Sequence, residues 1–313
     1  MSRPQVLLLG EVKHAHETWS VIAQQADVVV PQSTDRAGFL EECRAGALDG
    51  VVAAYRTFGS TGTTGRLDAT AVALLPAHTP HAVDDATADL GIWLMLGALR
   101  NLAPGLGSLR AGRWRDGDGG NPPGKGHDPR GKTLGILGMG GIGRNMARKA
   151  ALAFGMRVVY HNRTRLAAED EREAGEATYV GFEELLRESD VLSLNLPLNP
   201  STTHLISHPQ LAQTKPGVVL VNTARGAVVD EAALAAFLDR GHVAAVGLDV
   251  YEHEPEVHPA LLRNPRALLV PHMGTWTVET ERAMEEATMA NVRSALAGTG
   301  LTSGVPEQRG LAF

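Results

Sequence analysis

Three polar side chains in this sequence could together exchange a proton with a small acid that carries a carbonyl or hydroxyl group. Arg225, Glu254 and His272 each follow a short apolar run of the kind that forms a buried strand. Histidine donates or accepts a proton near neutral pH, a neighbouring carboxylate stabilises its imidazolium form, and arginine binds a carboxylate by two hydrogen bonds. The three residues are therefore candidates for a catalytic set.

Each of these residues has a simpler explanation when it is taken alone. A histidine after Val270-Pro271 is often structural, a single arginine often forms a surface ion pair, and a single glutamate is often a solvated turn residue. In an open α/β sheet, however, ligands bind beyond the carboxyl ends of the strands. Residues at such ends can converge although they are far apart in sequence, and this favours the catalytic interpretation.

A glycine-rich segment upstream predicts a loop that binds a dinucleotide. Gly138, Gly140 and Gly143 form the pattern G-x-G-x-x-G between an apolar run and a helical pattern. The first glycine permits a tight turn, the second lets the backbone approach a pyrophosphate, and the third lets the helix pack close to the strand. The helix start at Gly141 and Ile142 then offers unpaired N–H groups to the anion.

The end of the next predicted strand indicates which dinucleotide is preferred. Asn162 stands about twenty positions beyond the glycine pattern, where NAD enzymes usually place an acidic residue, and Arg163 and Arg165 lie beside it. A carboxylate would repel a 2′-phosphate, whereas guanidinium groups pair with it. We therefore predict that NADPH is preferred and that NAD remains usable. The alternative is that both arginines only solvate a strand end.

The elements that must position these residues follow from apolar runs that alternate with helical patterns, which is typical of βαβ units on a parallel sheet. Strands are predicted at residues 6–9, 28–30, 51–54, 133–137, 157–160, 191–195, 218–222, 244–248 and 267–270. Helices are predicted at residues 17–26, 36–45, 142–153, 182–188, 209–213, 231–240 and 277–297, and another from Asp84. Pro104-Gly105 should interrupt or kink that last helix, with a second piece at 106–112. Residues 116–131, rich in glycine and proline, are predicted to be loop.

Composition excludes several classes of protein. Hydrophobic residues make up 43% and charged residues 20% of the chain, and the net charge is −6, so neither a nucleic-acid partner nor a membrane partner is expected. The richest apolar run, at 92–99, is far shorter than the ~18 residues that a membrane span needs. A single cysteine, Cys43, cannot form an internal disulfide, and this favours the cytoplasm.

Two more histidines, His253 and His258, lie close to Glu254 and raise the question of a metal site. Their segment lacks the compact spacing of metal ligands. We therefore expect exposed loop residues here and no metal.

Read together, these segments resemble the D-isomer-specific 2-hydroxyacid dehydrogenases, the family of glyoxylate/hydroxypyruvate reductases and phosphoglycerate dehydrogenase. The likeness covers nearly the whole chain, and within the family it is strongest to fungal-type glyoxylate reductases and D-mandelate dehydrogenases. It is carried by residues 84–89, 138–143, 161–163, 195–199, 221–227, 247–255 and 270–275.

The resemblance implies an α/β fold with two domains. Residues 84–275 would form a Rossmann-type, doubly wound parallel sheet that binds NAD(P), and residues 1–83 with 276–313 a smaller, truncated flavodoxin-like domain that binds substrate. It also implies an oxidoreductase that transfers a hydride between NAD(P)H and a small 2-oxo acid such as glyoxylate or hydroxypyruvate, giving a D-2-hydroxy acid. Arg225, Glu254 and His272 would be its catalytic triad, and a homodimer would form across residues 84–112.

The resemblance further assigns cofactor contacts outside the glycine loop. They are Thr79, Leu196, Pro197, Thr223, Ala224, Asp249 and Gly274. Asp249 would accept a hydrogen bond from the nicotinamide carboxamide, and Thr223 with Ala224 would lie against the nicotinamide. Leu196 and Pro197 would lie along the dinucleotide.

One departure from the family lies in the first domain. Relatives have a strand, a glycine-rich loop, a helix and a further strand where this chain has only Ala77 between Pro76 and His78, so about thirty residues are absent. In the family, that glycine-rich loop presents N–H groups to the substrate carboxylate. The shortened domain therefore leaves an alternative function open, that of an impaired or non-catalytic dinucleotide-binding protein.

Overall fold

A computed structural model describes residues 3–57, 81–114, 124–300 and 302–303 of the chain. The chain divides into two compact units, one formed by Met1–Val83 with Trp276–Phe313 and the other by Asp84–Thr275. Thr79, the Pro76–His78 junction and part of the predicted loop at 116–131 lie outside the described residues.

The first unit is built on a parallel sheet of three strands in the order β2-β1-β3. The strands are β1 (Gln5–Leu9), β2 (Asp27–Val29) and β3 (Val51–Arg56), and the helices are α1 (His16–Gln25), α2 (Arg36–Arg44) and α11 (Val278–Leu296). Val6, Ile22, Tyr55, Met289 and Val292 join α1 and α11 to this sheet in one apolar core. Residues from both ends of the chain therefore form one folded body.

A buried carboxylate ties α11 to the start of α1. Glu285 accepts hydrogen bonds from the backbone N–H groups of Lys13, His14 and Ala15 at 2.9, 2.8 and 2.8 Å. Burial by itself would raise the pKa of this carboxyl group, but the three N–H donors outweigh burial and hold the pKa of Glu285 below its ordinary value.

The second unit contains a seven-stranded, wholly parallel sheet in the order β10-β9-β8-β7-β4-β5-β6. Its strands are β4 (Thr133–Leu137), β5 (Arg157–His161), β6 (Thr178–Tyr179), β7 (Val191–Leu194), β8 (Val218–Asn222), β9 (Val243–Leu248) and β10 (Ala267–Leu269). Its helices are α3 (Asp84–Leu99), α4 (Leu102–Arg110), α5 (Gly141–Phe154), α6 (Ala168–Glu173), α7 (Phe182–Glu188), α8 (His208–Leu211), α9 (Glu231–Asp239) and α10 (Pro259–Arg263).

Helices cover both faces of this sheet, because the central strands are apolar on both sides. Every residue of β4, β7 and β8 is buried, as expected for a parallel sheet between two helical layers. Along β5, Val158 and Tyr160 belong to one apolar cluster and Val159 to the other, since neighbouring strand residues point to opposite faces. The predicted α/β fold with a Rossmann-type sheet is confirmed.

The helix that begins at Asp84 does not break where the sequence predicts. The break falls at Asn101, whose φ of 54° is left-handed, and the next helix already begins at Leu102. Pro104 lies in the first turn of that helix, where the missing N–H of proline costs no helical hydrogen bond. The predicted interruption at Pro104-Gly105, and the helix start at residue 106, are therefore wrong.

Among the helices of the described ranges, none has the length and apolar composition that crossing a membrane requires. Those ranges also contain no group of three or more histidine, cysteine, aspartate or glutamate residues arranged to hold a metal ion. His258 instead caps the start of α10, where its ring accepts a hydrogen bond from the N–H of Ala260.

Candidate active site

The glycine loop between β4 and α5 has the geometry that its sequence pattern predicts. Gly138 has a φ of +97°, and a Cβ atom there would lie 2.6 Å from the carbonyl oxygen of Asn195. A Cβ on Gly143 would lie 2.4 Å from the carbonyl oxygen of Gly138, so this glycine brings the helix against the loop. Gly140, in contrast, faces open space, whereas a Cβ on Gly141 would lie 1.8 Å from a carboxylate oxygen of Asp84, so Gly140 presents the open backbone of this loop.

Asn162 supports this loop from the end of β5. Its side-chain oxygen accepts a hydrogen bond from the N–H of Met139 at 2.7 Å, so Asn162 fixes the backbone between the first two glycines. The side chain of Arg163, next in sequence, is exposed. The structure places Asn162 beside the loop, and the predicted contacts of Asn162 and Arg163 with the cofactor stay predictions.

The sequence predicts that Arg165 pairs with the 2′-phosphate of the cofactor. In the structure its guanidinium binds a carboxylate of the protein. Its guanidinium donates two hydrogen bonds to the Glu171 carboxylate, at 2.8 and 2.9 Å, and the same carboxylate accepts one from the Tyr160 hydroxyl at 2.8 Å. These bonds, above all those from Arg165, keep the pKa of Glu171 below its ordinary value. Any contact of Arg165 with a cofactor phosphate stays a prediction.

A cavity of about 500 Å³ opens beside the glycine loop at the carboxyl ends of β7 and β8. It is lined by Ile142, Asn195, Leu196, Pro197, Leu198, Thr223, Ala224 and Arg225. The wall therefore combines residues predicted to bind the cofactor with a residue predicted to be catalytic. Its Asn195 is a site residue that the sequence analysis did not select, although it is polar and ends a predicted apolar strand.

Two polar atoms in this wall are buried without a partner. Within the described part of the chain, neither the side-chain oxygen of Asn195 nor the hydroxyl of Thr223 has a hydrogen bond that satisfies it. The nitrogen of the Asn195 amide, in contrast, donates to the Ser193 hydroxyl at 3.0 Å. Buried polar atoms rarely stay unpaired, so a ligand with hydroxyl or amide groups fits this wall.

Arg225 lies in a tight turn after β8. The Asn222 side chain closes the turn, because its amide donates to the Arg225 carbonyl and its oxygen accepts from the N–H of Ala224, both at 3.0 Å. The guanidinium is exposed and donates one hydrogen bond to the Ala224 carbonyl. Most of its donors can therefore turn to a carboxylate ligand.

Glu254 and His272 meet although they are eighteen positions apart in the sequence. Nδ1 of His272 lies 2.8 Å from Oε2 of Glu254, and the other carboxylate oxygen accepts a hydrogen bond from the N–H of Tyr251 at 2.9 Å. The His272 and Glu254 side chains are 43% and 33% exposed, so both can be reached by a ligand. His272 has a φ of 51°, an unfavourable conformation for a residue with a side chain and one that is frequent at functional sites.

The Asp249 carboxylate holds the turn that carries His272. One oxygen accepts from the N–H of Met273 at 2.6 Å and the other from the N–H of Gly274 at 2.9 Å, and the residue is only 1% exposed. Burial raises the pKa of Asp249 in spite of these bonds. The structure thus gives Asp249 and Gly274 a structural contact, and their predicted contacts with the nicotinamide stay predictions.

The loops that carry Arg225 and Glu254 are in direct contact. A Cβ atom on Gly226 would lie 1.8 Å from the carbonyl carbon of Tyr251 and 2.3 Å from the N–H nitrogen of Glu252. The two loops follow neighbouring strands, β8 and β9, and His272 follows β10 on the far side of β9. The three predicted catalytic residues therefore come from adjacent strand ends at one edge of the sheet.

A parallel sheet of this order, with a glycine loop and a His–Glu pair at the same edge, defines the class of nicotinamide-dependent dehydrogenases. Residues 92–274 match the profile of a known family, described as "D-isomer specific 2-hydroxyacid dehydrogenase, NAD binding domain". This match covers more than half of the chain. The chain therefore belongs to the family of D-isomer-specific 2-hydroxyacid dehydrogenases, as the sequence resemblance predicts.

Individual relatives agree with this assignment over nearly their whole length. The 4-methyl-2-oxopentanoate reductase A of Aspergillus oryzae is 45% identical, over 98% of this chain and 99% of its own. A solved glyoxylate reductase from Paecilomyes thermophila is 45% identical with a TM-score of 0.92, covering 99% of this chain and 100% of that one. D-mandelate dehydrogenase from Rhodotorula graminis is 31% identical with a TM-score of 0.91, covering 100% and 99%.

Coverage of this extent bears on the alternative of an impaired or non-catalytic protein. Because the match runs over nearly the full length of relatives that are named reductases, that alternative is not favoured. The alignment with the Aspergillus protein nevertheless spans 334 positions, more than the 313 residues of this chain, so some residues of that relative have no counterpart here.

A more distant solved relative, the NADPH-dependent glyoxylate/hydroxypyruvate reductase of Sinorhizobium meliloti in complex with NADP and malonate, is 27% identical with a TM-score of 0.80 and full coverage of both chains.

Proposed function

We propose that this protein reduces a small 2-oxo acid to the D-2-hydroxy acid, with NADPH as the preferred cofactor. The observation that carries the proposal is the 2.8 Å contact between His272 and Glu254, at the sheet edge where Arg225 lines the cavity beside the glycine loop. Proton donor, stabilising acid and carboxylate-binding cation are the groups that this reduction needs from the protein.

The described residues fit a nicotinamide dinucleotide. The start of α5 behind Gly138, Gly140 and Gly143 would hold the pyrophosphate, and the unpaired oxygens of Asn195 and Thr223 would accept hydrogen bonds from the nicotinamide half. Ile142, Leu196, Pro197 and Ala224 would pack along the molecule. When bound, the reduced cofactor supplies the hydride that C2 of the substrate receives.

The protein's own contribution is to orient the substrate and to supply a proton. Arg225 binds the substrate carboxylate and polarises the keto oxygen. The imidazolium of His272 donates the proton from Nε2 to that oxygen as C2 receives the hydride, while Glu254 stabilises the charged ring through Nδ1. In the reverse reaction neutral His272 takes the hydroxyl proton and Glu254 stabilises the imidazolium that results.

The preference for NADPH rests on the end of β5. This strand ends in His161-Asn162-Arg163 without a carboxylate, and the exposed guanidinium of Arg163 could pair with a 2′-phosphate. Arg165 is engaged by Glu171, so we assign Arg163 the larger share of that pairing. The Sinorhizobium relative, named NADPH-dependent and solved with NADP, supports the same preference.

Substrates of the glyoxylate and hydroxypyruvate type are the starting proposal, because several relatives are named for them. The names of other relatives include 4-methyl-2-oxopentanoate and D-mandelate, so bulkier side chains on the 2-oxo acid belong in the same test.

We also propose a cytoplasmic homodimer. Trp93, Leu102, Leu106 and Leu109 leave large apolar side chains exposed along α3 and α4 of the second unit, and Trp114 follows them. A patch of this kind favours burial against a second copy. The single cysteine of the chain favours a reducing compartment.

The test is NADPH oxidation at 340 nm with a panel of glyoxylate, hydroxypyruvate, 4-methyl-2-oxopentanoate and phenylglyoxylate. His272→Ala should lower kcat by about a thousandfold or more while NADPH affinity, measured by fluorescence, stays within about twofold. His127→Ala, which removes an exposed histidine of the same unit, should keep wild-type kcat. Wild-type protein that binds NADPH but reduces no 2-oxo acid would replace this proposal with the non-catalytic alternative.

A further inference from the structure

Tyr251 contacts the surroundings of both members of the His–Glu pair, although it carries no obvious chemistry for the reaction. It follows β9 and is only 7% exposed. Its hydroxyl donates a hydrogen bond to the carbonyl of Val270 at 2.9 Å, and that carbonyl lies two residues before His272. A second carbonyl, that of Leu248 at the end of β9, lies 3.3 Å from the hydroxyl. The side chain therefore connects the ends of β9 and β10.

The backbone of the same residue orients Glu254. The N–H of Tyr251 donates to Oε1 of Glu254 at 2.9 Å, and this leaves Oε2 directed at Nδ1 of His272. The acid can then face the imidazole in only a narrow range of rotamers. Displacement of the Tyr251 backbone would move the Glu254 carboxylate with it.

The peptide group after Tyr251 also limits where Arg225 can lie. Gly226 approaches this peptide so closely that a Cβ would fall 1.8 Å from the Tyr251 carbonyl carbon and 2.0 Å from its oxygen. Since those atoms are backbone, they could not move aside without moving the Glu254 loop. The position of Arg225, one residue before Gly226, is therefore coupled to that of Tyr251.

We propose that Tyr251 is a positioning residue that sets the relative placement of Arg225, Glu254 and His272. This inference rests on the proposed function, because it assumes that those three residues carry the reaction. Tyr251 contacts the surroundings of each: its N–H bonds Glu254, its hydroxyl bonds the strand end before His272, and its peptide packs on the residue after Arg225.

The Tyr251 hydroxyl allows the positioning role of this residue to be tested separately from its packing role. Phenylalanine would fill the same space in the core of the second unit, so packing alone does not call for a hydroxyl here. Burial, together with the charges of Asp249 and Glu231, raises the pKa of the Tyr251 hydroxyl. The hydroxyl therefore keeps its single proton, which it donates to the Val270 carbonyl, throughout the ordinary working range of pH.

The test compares Tyr251→Phe with a matched control, Tyr55→Phe. Tyr55 is also buried, burial and the nearby Glu285 carboxylate raise the pKa of its hydroxyl, and it belongs to the core of the first unit. Both variants should lose a similar, small amount of thermal stability. Tyr251→Phe should lower kcat about tenfold and leave the KM for NADPH within about twofold, because one buried hydrogen bond is lost from the frame of the site. Tyr55→Phe should keep wild-type kcat.

A second readout distinguishes positioning from a general loss of stability. If Tyr251→Phe loosens the alignment of His272, proton donation should become slower, and the solvent deuterium isotope effect on kcat should rise above the wild-type value. Gly226→Ala should give the same change in larger measure, provided that its thermal melt remains cooperative.

Equal kcat values and equal isotope effects for wild type and Tyr251→Phe would overturn the inference and leave the proposed function intact. Wild-type protein without 2-oxo acid reductase activity would instead refute the proposed function, so the two failures can be told apart.

Discussion

Replacing Asp249 with asparagine should lower turnover and leave cofactor affinity nearly unchanged. The two oxygens of Asp249 accept hydrogen bonds from the N–H groups of Met273 and Gly274, directly after His272, at 2.6 and 2.9 Å. Asparagine has nearly the same shape, but one acceptor oxygen becomes an NH₂ group. One buried N–H of the turn would then face a donor and lose its partner.

The size of the effect follows from that lost partner. A buried donor without an acceptor costs about 1 to 3 kcal/mol. The variant also removes a desolvated charge, and this offsets part of the cost. We therefore take about 2 kcal/mol, the middle of the range. The left-handed φ of His272, 51°, is itself unfavourable, so a turn released by Asp249 should relax away from it. A cost of about 2 kcal/mol corresponds to about a thirtyfold fall in kcat.

The pH dependence of stability gives an independent check on the same variant. Burial raises the pKa of Asp249 in the native state above its unfolded value. The stability that this group contributes is therefore complete below its unfolded pKa and is lost as the pH rises through its native pKa. Asparagine does not titrate, so the stability deficit of the variant relative to wild type should be larger near pH 4 than near pH 7.

Steady-state kinetics with glyoxylate measure kcat, and fluorescence titration measures the affinity for NADPH. Asp190→Asn is the matched control, since its carboxylate accepts from the N–H of Thr133 at 2.7 Å at the opposite end of the strands. It should lose stability and keep wild-type kcat. If Asp249→Asn instead weakened NADPH binding tenfold with kcat unchanged, Asp249 would act on the cofactor, and the reasoning about the His272 turn would be refuted.

Three further predictions concern the first unit, the cofactor phosphate and the Arg165–Glu171 pair. Glu285→Gln should lower the free energy of unfolding by about 2 to 4 kcal/mol in a urea titration, because it weakens three charge-assisted bonds to the start of α1. Since the native pKa of Glu285 is lowered, this stability should be present above its unfolded pKa and be lost as the pH falls through the native one; an unchanged urea midpoint would contradict this. Arg163→Gln should lower kcat/KM for NADPH about tenfold or more and leave that for NADH unchanged. Arg165→Gln should chiefly lower the melting temperature, because it breaks the pair with Glu171, and a reversal of these two phenotypes would contradict the assignment.

Most of the second unit could be predicted from the sequence, because its strands are buried on both faces. Apolar runs such as 133–137 and 218–222 therefore coincide with the strands of the structure. The edge strand at Thr178–Tyr179 is two residues long and only partly buried, so it has no comparable run. The break at Asn101 was missed because the proline three residues later is the stronger local sign, although the first turn of a helix accepts it.

In the site, the residue types and the Glu254–His272 pair were predictable, whereas the partners of Arg165 and Tyr251 were not. The pairing of Glu254 with His272 follows from strand ends that meet at one edge. Glu171, which binds Arg165, lies in helix α6. No periodic apolar pattern in the sequence predicts this helix, so the ion pair was not predictable. The contacts of Tyr251 involve backbone atoms, namely its own N–H and the carbonyl of Val270. Every residue type has such atoms, so the sequence gives no sign of these contacts.

The most direct test of the central claim is the fate of deuterium from NADPH in which deuterium replaces both hydrogens at C4 of the nicotinamide. With glyoxylate the product should carry the label at C2, and with a 2-oxo acid that has a larger side chain it should be the labelled D-2-hydroxy acid. His272→Ala should form this product more than about a thousandfold more slowly, with NADPH still bound. A product without deuterium at C2, an L-2-hydroxy acid, or wild-type rates for His272→Ala would contradict the account.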